Sequence, residues 1–485
     1  MLVKRIILCA LVFSLLASLF SYHLLAVPTG LTLDEAAFGY NASLLAKTGR
    51  DENGRFMPLF VLSSGGTDWR QPLTQYYLTA LFKVFGPSIY LLRFSSVLIA
   101  LFSIAGVYLL VKELLDQKSA LFAALIMTST PLLMIQSHMG LDNIMPLPLV
   151  ILWLYSLVKF QKFKKEKWLI LGAVCLGLSF YSYKGMRPVA PLWILLTLSW
   201  LNVSTAQKKI SLRNIAVFSL SAAPFFLIIP LIQKYYPGAI LGGSRPVFHN
   251  AYDFFLPYLS SFDFTYLFIR GDTTFYHSTG RHGMLLLASA PFIFSGIYYA
   301  LKSKNHFFKF VFIALVIGPL LYGTVGSEHR FSRLMSLIPL FVVLASLGFC
   351  SLLQYPHKWL KSIVVILTIL VVTNFADFVF YYWREYPPFT YNLLGSMEYY
   401  KDVEWLAKEA KARNVEPVIQ EDFFNGGGVS MKFFQLIYFE KIIRAIPLGK
   451  SSGNGTILLS NDQVVPGMSR ISEKGIQGYL HIQKQ

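Results

Sequence analysis

The stretch GLTLDEAAFGYNASLLAKTGRDENG, residues 30–54, lies at the end of a long apolar run and contains two adjacent acids near its start, Asp34 and Glu35. The run before the acids, residues 6–33, contains no Lys, Arg, Asp or Glu. It is long enough to cross a bilayer, which takes about 20 apolar residues. A carboxylate pair therefore stands where a first membrane span should end, and charges near the hydrocarbon are usually paired or functional.

Similar charge-free runs recur along the chain and predict a polytopic membrane protein. Of the 485 residues, 55% are hydrophobic and only 14% are charged, whereas soluble domains have about 25% charged residues. The fold class that we predict is an all-α membrane domain, residues 1–380, followed by a small soluble α/β domain, residues 381–485. The eleven predicted spans are residues 6–33, 94–111, 119–141, 143–158, 168–183, 188–207, 214–233, 283–301, 310–327, 334–357 and 362–376.

The basic residues indicate how these spans are oriented. If the N-terminus is cytoplasmic, the inner segments hold seventeen Lys and Arg residues against three acids, which is most of the net charge of +18. An excess of Lys and Arg in the segments on the cytoplasmic side is the usual signal for the orientation of membrane spans. We therefore predict a multi-pass protein of the cytoplasmic (inner) membrane, with the N-terminus inside and the C-terminal domain outside. This interpretation of the basic charge leaves no reason to expect a nucleic-acid partner.

Three outer segments are long enough to carry chemistry, at about residues 28–83 and 234–282 and after about residue 381. The first should contain amphipathic helices over about 32–47 and 72–84. Thr32 with Glu35 fits a capping box, Gly49 suits the helix end, and an apolar stripe along the first helix suits the membrane interface. In the tail, residues 398–415 predict a helix, and EPVIQ (416–420) and GTILLS (455–460) predict strands.

The acids have both structural and chemical interpretations. Glu35 can complete the helix cap and Asp34 can favour the positive end of the helix dipole. A further acid, Asp142, lies between two predicted spans in SHMGLDNIMP, where it can cap the next helix or take part in a reaction. His138 precedes Asp142 by four residues. Asp34, His138 and Asp142 are also candidates for a metal site, although paired carboxylates are a weak metal signal.

Cations on the outer side run against the positive-inside tendency and need a reason. Some can bind anionic headgroups. Beside acids, they suggest a site that holds a phosphate while a carboxylate acts on an acceptor. The candidate phosphate ligands are Arg187 and Arg281, each directly before a predicted span, followed by Lys184, Arg330 and Arg333.

Several motifs resemble those of bacterial membrane glycosyltransferases of family 39. These enzymes share the GT-C fold with protein O-mannosyltransferases and with the aminoarabinose transferase of lipid A. The resemblance runs through LDEAAFGYNASLLAKTGRDENGRFMPL (33–59), DWRQPLTQYYLTALFKVFG (68–86), YSYKGMR (181–187) and RGDTTFYHSTGRHG (270–283), and spans roughly residues 30–340.

The resemblance implies a cell-envelope glycosyltransferase that uses a polyprenyl-phosphate-linked hexose or pentose on the outer face. Its other partners would be membrane lipids and an acceptor glycan, lipid or protein. By matched position the general base is Asp34, with Glu35 beside it, and Asp142 is the second acid. The reaction would be a single displacement with inversion at the anomeric carbon. Whether a divalent metal is a cofactor stays open.

Other function classes were weighed from the same residues. A flippase or other transporter of lipid-linked saccharides would often have an internal repeat, and none is visible. A polymerase or ligase of lipid-linked glycans has closely related chemistry, but the acid pair of the first outer segment argues against it. A soluble glycosidase mechanism with two flanking carboxylates does not explain eleven spans.

Overall fold

The computed structural model describes residues 2–63, 66, 68–204, 208–240, 248–274, 276–320, 323, 330–394, 398–421, 423, 428–448, 450–471, 475 and 478–483. The end of the predicted span 310–327 lies outside the described residues. So does the first half of the turn GSEHRFSR (326–333), of which residues 330–333 are described.

The described part of the chain is mainly helical. Its helices are α1 (Leu2–Ser21), α2 (Leu33–Thr48), α3 (Pro72–Phe85), α4 (Ile89–Leu114), α5 (Gln117–Thr128), α6 (Pro131–Ser137), α7 (Pro146–Phe163), α8 (Glu166–Phe180), α9 (Met186–Ser204), α10 (Lys208–Leu227), α11 (Ile229–Tyr235), α12 (Tyr252–Ser260), α13 (Phe264–Phe268), α14 (Ala290–Lys302), α15 (His306–Ile317), α16 (Ile338–Gln354), α17 (Lys358–Arg384), α18 (Tyr386–Leu394), α19 (Tyr400–Arg413) and α20 (Val429–Phe439). Short 3-10 helices cover Asp142–Ile144, Leu287–Ser289 and Phe331–Leu337.

Several of these helices are long and apolar enough to cross a membrane. Within the described residues there are five, by length and composition: Ile89–Leu114, Asp142–Phe163, Lys209–Tyr235, Ser332–Gln354 and Lys358–Arg384. The bent pair α5 and α6, with 57° between the two helices, adds a sixth if it is one span. The chain is therefore a multi-pass membrane protein by its apolar helices, and the number eleven stays a prediction.

The chain divides by packing into two compact units. The first comprises Met1–Tyr22, Gln71–Thr74 and Ser96–Arg384, and the second comprises His23–Arg70, Gln75–Ser95 and Glu385–Gln485. The second unit thus unites most of the first outer segment with the C-terminal tail. The predicted domain boundary at residue 380 divides the chain by sequence alone, whereas the second unit also contains residues 23–70 and 75–95. The boundary stays a prediction.

In the first unit, helices α14 and α16 approach each other closely at two glycines. A Cβ atom on Gly296 would overlap the backbone carbonyl of Leu344, and one on Gly348 would overlap the carbonyl of Phe292. Small residues at a contact allow two backbones to pack closely, which is a usual means of association for helices in a membrane. These glycines therefore fix one of the main helix contacts of the unit.

The second unit has a small mixed sheet, as the tail sequence predicts. Its strands are β3 (Glu416–Gln420), β4 (Arg444–Ile446), β5 (Thr456–Ser460), β6 (Ser469–Arg470) and β7 (Tyr479–Ile482), in the order β4-β3-β5-β7-β6. Strand β3 pairs in parallel with β4 and β5, while β7 is antiparallel to β5 and β6. The predicted tail helix and the predicted strands 416–420 and 455–460 are confirmed as α19, β3 and β5.

A two-stranded hairpin in the first outer segment was not predicted from the sequence. Strands β1 (Val61–Ser63) and β2 (Asp68–Arg70) are antiparallel, and Val61 pairs with Arg70. With only three residues each, these strands are too short to give a clear alternating pattern. The hairpin brings Arg70 back toward α2.

Candidate functional site

Helix α2 begins with the predicted cap. The Thr32 hydroxyl accepts a hydrogen bond from the Glu35 amide at 3.2 Å, and Glu35 Oε2 accepts one from the Thr32 amide at 2.9 Å. Gly49, with φ of 71°, ends the helix in the left-handed region that glycine adopts without strain. Both the capping box and the glycine stop are confirmed.

The predicted apolar stripe of α2 is wrong in one respect. Every residue from Glu35 to Ser43 is buried, so over more than two turns this helix has no exposed face. Leu33, expected on the apolar stripe, is 58% exposed. A helix at an interface would keep one face in water. Instead α2 is enclosed by other parts of the second unit.

Glu35 is held by a buried ion pair that the sequence did not reveal. Arg93 Nε donates to Glu35 Oε1 at 3.0 Å, and both side chains are essentially inaccessible. The same guanidinium donates to the carbonyls of Leu24 and Pro28, both at 3.0 Å, and to that of Gly30. Arg93 therefore joins the loop before α2 to the first turn of the helix. Both carboxylate oxygens of Glu35 are occupied, which gives this acid a structural role.

Asp34 has a very different environment from its neighbour. Its side chain is 63% exposed, and its Oδ1 accepts a hydrogen bond from Arg70 at 2.8 Å. Arg70 is only 4% exposed; it also donates to Ser63 Oγ at 2.6 Å, contacts Asp68 at 3.4 Å and lies over the Phe38 ring. A buried, multiply bonded arginine thus fixes the direction of an exposed carboxylate at a helix N-terminus.

Arg70 is a site residue that the sequence reasoning missed. It lies in DWRQPLTQ, a stretch used only for the family resemblance. The available signal was a lone arginine directly after Trp69 and before Gln71 and Pro72, 36 residues after Asp34. Because the hairpin was not predicted, nothing indicated that β2 would bring this side chain to α2.

In the first unit, a second set of charged residues gathers around Tyr183. The Tyr183 hydroxyl interacts electrostatically with Asp142, Asp272, Arg330 and Arg333. The 3-10 helix Phe331–Leu337, which carries Arg333, packs against α6, α7 and the 3-10 helix that Asp142 begins. The structure therefore brings together three residues that the sequence singled out separately, namely Asp142, Arg330 and Arg333.

The proposal that Asp142 caps the next helix is wrong. The N-cap residue of the 3-10 helix is Leu141, that of α7 is Met145, and neither makes a side-chain cap. Asp142 itself is half-buried in the first turn of the 3-10 helix. Its carboxylate acts electrostatically on the Tyr183 hydroxyl.

His277 belongs to the same cluster and is held in its neutral form. The Gln136 amide donates to its Nδ1 at 2.8 Å. Burial, reinforced by the positive charges of Arg330 and Arg333, lowers the pKa of His277 to about 3. A neutral imidazole beside two arginines adds hydrogen-bonding capacity without more positive charge. Among the described residues, Oε1 of Gln136 is buried and has no hydrogen-bond partner.

Arg187 lies in the first turn of α9, directly after the turn between α8 and α9 that holds Lys184. Arg187 is half-buried; it donates to the backbone carbonyl of Ile240 at 3.0 Å and to Gln71 Oε1 at 2.9 Å. Lys184 is half-buried in the preceding turn, and its carbonyl accepts a hydrogen bond from the Arg187 amide.

Arg281 takes part in a separate cluster in the first unit. It contacts Asp377 of α17 at 3.3 Å and lies over the Tyr381 ring. His282 Nε2 donates to the other Asp377 oxygen at 3.0 Å, and burial lowers the pKa of His282 while Asp377 opposes this effect. These side chains line a cavity of about 130 Å³. Arg281 thus already has an acidic partner, unlike the arrangement expected for a dedicated phosphate ligand.

The described residues give no additional support to a metal site. In this part of the chain, no group of three or more His, Cys, Asp or Glu side chains could hold a metal ion. His138 is buried at the end of α6, with its ring 5.4 Å from that of Tyr382. The metal candidates Asp34, His138 and Asp142 stay a prediction, and none of the roles assigned to them depends on a metal.

Comparison with known proteins adds a family and a fold. Residues 70–232 match the family described as dolichyl-phosphate-mannose-protein mannosyltransferase. A comparison with curated proteins finds no significant sequence match.

Three solved structures illustrate the likeness in fold. Crystal structures of ArnT from Cupriavidus metallidurans, one in the apo state and one bound to undecaprenyl phosphate, align over 97% of both chains. Their identities are 12% and 11%, and their TM-scores are 0.56 and 0.55. An oligosaccharyltransferase from Archaeoglobus fulgidus, in complex with Zn and sulfate, aligns over 90% of this chain and 62% of its own, with 13% identity and a TM-score of 0.48.

At such low identity the ArnT structures establish a common fold, and the family match over residues 70–232 adds the class of activity. The apolar helices agree with a protein that crosses the membrane several times. The chain is a membrane glycosyltransferase of the GT-C type.

Proposed function

We propose that this chain transfers a sugar from a polyprenyl-phosphate-linked donor to a lipid, glycan or protein on the outer face of the cytoplasmic membrane. Asp34 acts as the general base, and the configuration at the anomeric carbon is inverted. The observation that carries the proposal is the difference between the two adjacent acids. Glu35 is fully enclosed by Arg93 and the helix cap, while Asp34 is 63% exposed and oriented by Arg70.

The proposed reaction is a single displacement. An oxygen or nitrogen of the acceptor attacks the anomeric carbon while its proton moves to the Asp34 carboxylate. The bond between the anomeric carbon and the phosphate oxygen breaks, and polyprenyl phosphate leaves with the electron pair. A positioned base of this kind typically contributes about 10²–10⁴ in rate. The crystal structure of ArnT with undecaprenyl phosphate supports a lipid phosphate as the leaving group, since that protein has the same fold.

The developing charge on the phosphate needs cationic partners. We place Arg330 and Arg333 ahead of Arg281, because both lie near buried, neutral His277, whereas Arg281 contacts Asp377. The charges of Arg330, Arg333 and Asp142 all act on the Tyr183 hydroxyl, and we propose Asp142 as the second acid that orients the two arginines. We keep Arg187 and Lys184 as further candidate ligands, and Arg187 is positioned by its hydrogen bonds to the Ile240 carbonyl and Gln71 Oε1.

The alternatives have less support than the transferase. A flippase or other transporter needs no exposed carboxylate held by a buried arginine, and the family match over residues 70–232 is to a mannosyltransferase. A polymerase of lipid-linked glycans would also transfer sugars. It differs in its acceptor, which would be a second lipid-linked glycan.

The test begins by identifying the donor. Mass spectrometry of lipid-linked sugars in cells lacking the protein should reveal one that accumulates. The purified full chain in phospholipid vesicles is then given undecaprenyl-phosphate-linked glucose, mannose, galactose and 4-amino-arabinose, with a cell-envelope extract as acceptor. Labelled product and released undecaprenyl phosphate are measured. Translocation of the donor without product would support the transporter and overturn the proposal.

The base is tested in the same assay by Asp34→Asn. Because the amide keeps the shape but cannot take the proton, we expect transfer to fall by about 10²–10⁴ with normal accumulation in the membrane. Asp68→Asn is the matched control, since it removes a carboxylate beside the same Arg70, and it should change the rate only a few-fold. If Asp34→Asn turns over as fast as the unaltered chain, Asp34 is not the general base and only stabilises the N-terminus of α2.

The phosphate ligands are tested by Arg333→Lys. An arginine fork can hold two phosphate oxygens together, which a lysine cannot do, so the affinity for the donor should fall. A contact with bulk anionic lipid would tolerate the change, because it is worth about 1 kcal/mol for either cation. Arg281→Lys, in the cluster with Asp377, serves as the comparison.

A further inference from the structure

The C-terminal tail forms one hydrophobic core with the helix that carries Asp34. The buried residues of this core include Ala36, Phe38, Tyr40 and Ala42 of α2. From the tail they include Val403 and Leu406 of α19, Ile419 of β3, Met431, Phe433 and Phe434 of α20, and Ile457 and Leu459 of β5. All these segments belong to the second unit. The tail therefore shares its larger core with α2, and only a smaller cluster of Val418, Ile446, Leu458 and Val465 belongs to the tail alone.

The closest contact in this core is between α2 and α20. The tip of the Phe433 ring rests on Gly39, where a Cβ atom would overlap three ring carbons. Phe433 is fully buried, and its ring also stacks on Phe82 of α3 with 6.4 Å between centroids. A glycine is therefore required at position 39 for the phenyl ring to reach the backbone of α2.

Polar contacts hold both helices along their length. Lys47 in the last turn of α2 donates to the carbonyl of Glu440, directly after α20, at 2.8 Å. Asn41 donates to Glu52 at 2.9 Å, and the charge of Lys432 on α20 acts on the same carboxylate. The helix is thus fixed at its middle by Phe433 and near its C-terminal end by these polar groups.

We infer that the tail is a positioning domain for the catalytic base, and that Phe433, seated on Gly39, is its main positioning residue. This inference rests on the proposed function of Asp34. Gly39 lies five residues after Asp34, so a shift of α2 at the Phe433 contact moves the carboxylate as well. A displacement of about 1 Å at a reacting group can cost about a hundredfold in rate.

The test is a compensating pair of substitutions in the purified full chain. Gly39→Ala introduces a methyl group that overlaps the Phe433 ring, and Phe433→Leu provides a smaller side chain that makes room for it. Gly428→Ala is the matched control, since no atom lies within 4 Å of a Cβ at that tail glycine. Two quantities are measured: kcat and KM for the donor on which Asp34-dependent transfer is found, and hydrogen exchange of amides in residues 33–48.

We expect Gly39→Ala to lower kcat by about tenfold to a hundredfold, with KM for the donor changed by less than about twofold, and to speed exchange in α2. The double variant Gly39→Ala with Phe433→Leu should recover kcat to within about threefold of the unaltered chain. A loss only in protein yield, or a double variant no better than Gly39→Ala, would overturn the positioning role.

The two proposals can fail independently. If Asp34→Asn transfers normally, the base assignment fails whatever the tail variants do. If Asp34→Asn is inactive but Gly39→Ala and Phe433→Leu each keep kcat within about twofold, only the positioning role of the tail is overturned. Phe433→Leu alone is a mild change that keeps the chain foldable should Gly39→Ala not accumulate.

Discussion

His277 is held neutral in a buried site, and this has a consequence for stability in acid. Its pKa in the folded chain is about 3, below the ordinary value of 6.5, because of burial and of Arg330 and Arg333. Between about pH 3 and 6.5, the His277 side chain is therefore mostly protonated in the unfolded chain and mostly neutral in the folded chain. The stabilising effect of the neutral state is complete above about pH 6.5 and is lost as the pH falls toward 3.

We accordingly predict that His277→Gln reduces the acid sensitivity of the protein. Between pH 7.5 and 5 the unaltered chain should lose about 2 kcal/mol of stability from this one group. Glutamine can still accept the hydrogen bond from Gln136 but does not titrate. The His277→Gln variant should therefore lose less stability than the unaltered chain over the same pH range. Thermal unfolding of the purified chain measures the effect, and His249→Gln, at an exposed histidine, is the control. Parallel pH profiles for all three proteins would contradict the assignment.

The two acids show what the sequence could and could not predict about individual residues. The cap of Glu35 on Thr32 was predictable because it depends on residues three positions apart. The partner of the same carboxylate, Arg93, is 58 residues away, and the partner of Asp34 depends on a hairpin with three-residue strands. Long-range ion pairs leave no periodic signal in a single sequence.

Arg93 connects three elements, namely the loop before α2, the first turn of α2 and α4. Its four hydrogen bonds use most of the five N–H groups of a guanidinium. Because Arg93 and Glu35 are buried together, removing either one leaves an uncompensated buried charge. Such a loss typically costs about 3–5 kcal/mol, whereas removing both at once costs less.

We therefore predict strong coupling between Arg93→Met and Glu35→Gln. Each single variant should lower the free energy of unfolding by about 3–5 kcal/mol, and the double variant should lose clearly less than their sum. Thermal unfolding in detergent gives the comparison. The exposed pair of Arg413 and Glu409 on α19 is the control, and Arg413→Met should cost below about 1 kcal/mol. Additive losses at Arg93 and Glu35 would mean that the pair does not act as a unit.

The apolar runs predicted a membrane protein, but they did not define its helices. The run 119–141 contains a break between α5 and α6, where Pro131 begins the second helix at 57° to the first. The run 283–301 begins with non-helical residues and a 3-10 helix before α14. Hydropathy reports which residues avoid water, and it does not report where the backbone leaves the helical path. Tertiary packing decides those breaks, so the span count needs a direct measurement.

The orientation of the whole chain decides whether the proposed reaction can occur on the outer face. Seventeen Lys and Arg residues fall in inner segments when the N-terminus is cytoplasmic, and this distribution favours an outer C-terminus if the span count is odd.

We predict that a reporter active only outside the cytoplasm will be active when fused after Gln485 and inactive within Lys162–Lys167. A reporter active only in the cytoplasm should give the opposite pattern, which controls for expression. If the C-terminal fusion instead reports a cytoplasmic location, the tail cannot position a base on the outer face, because the tail and Asp34 lie in the same compact unit.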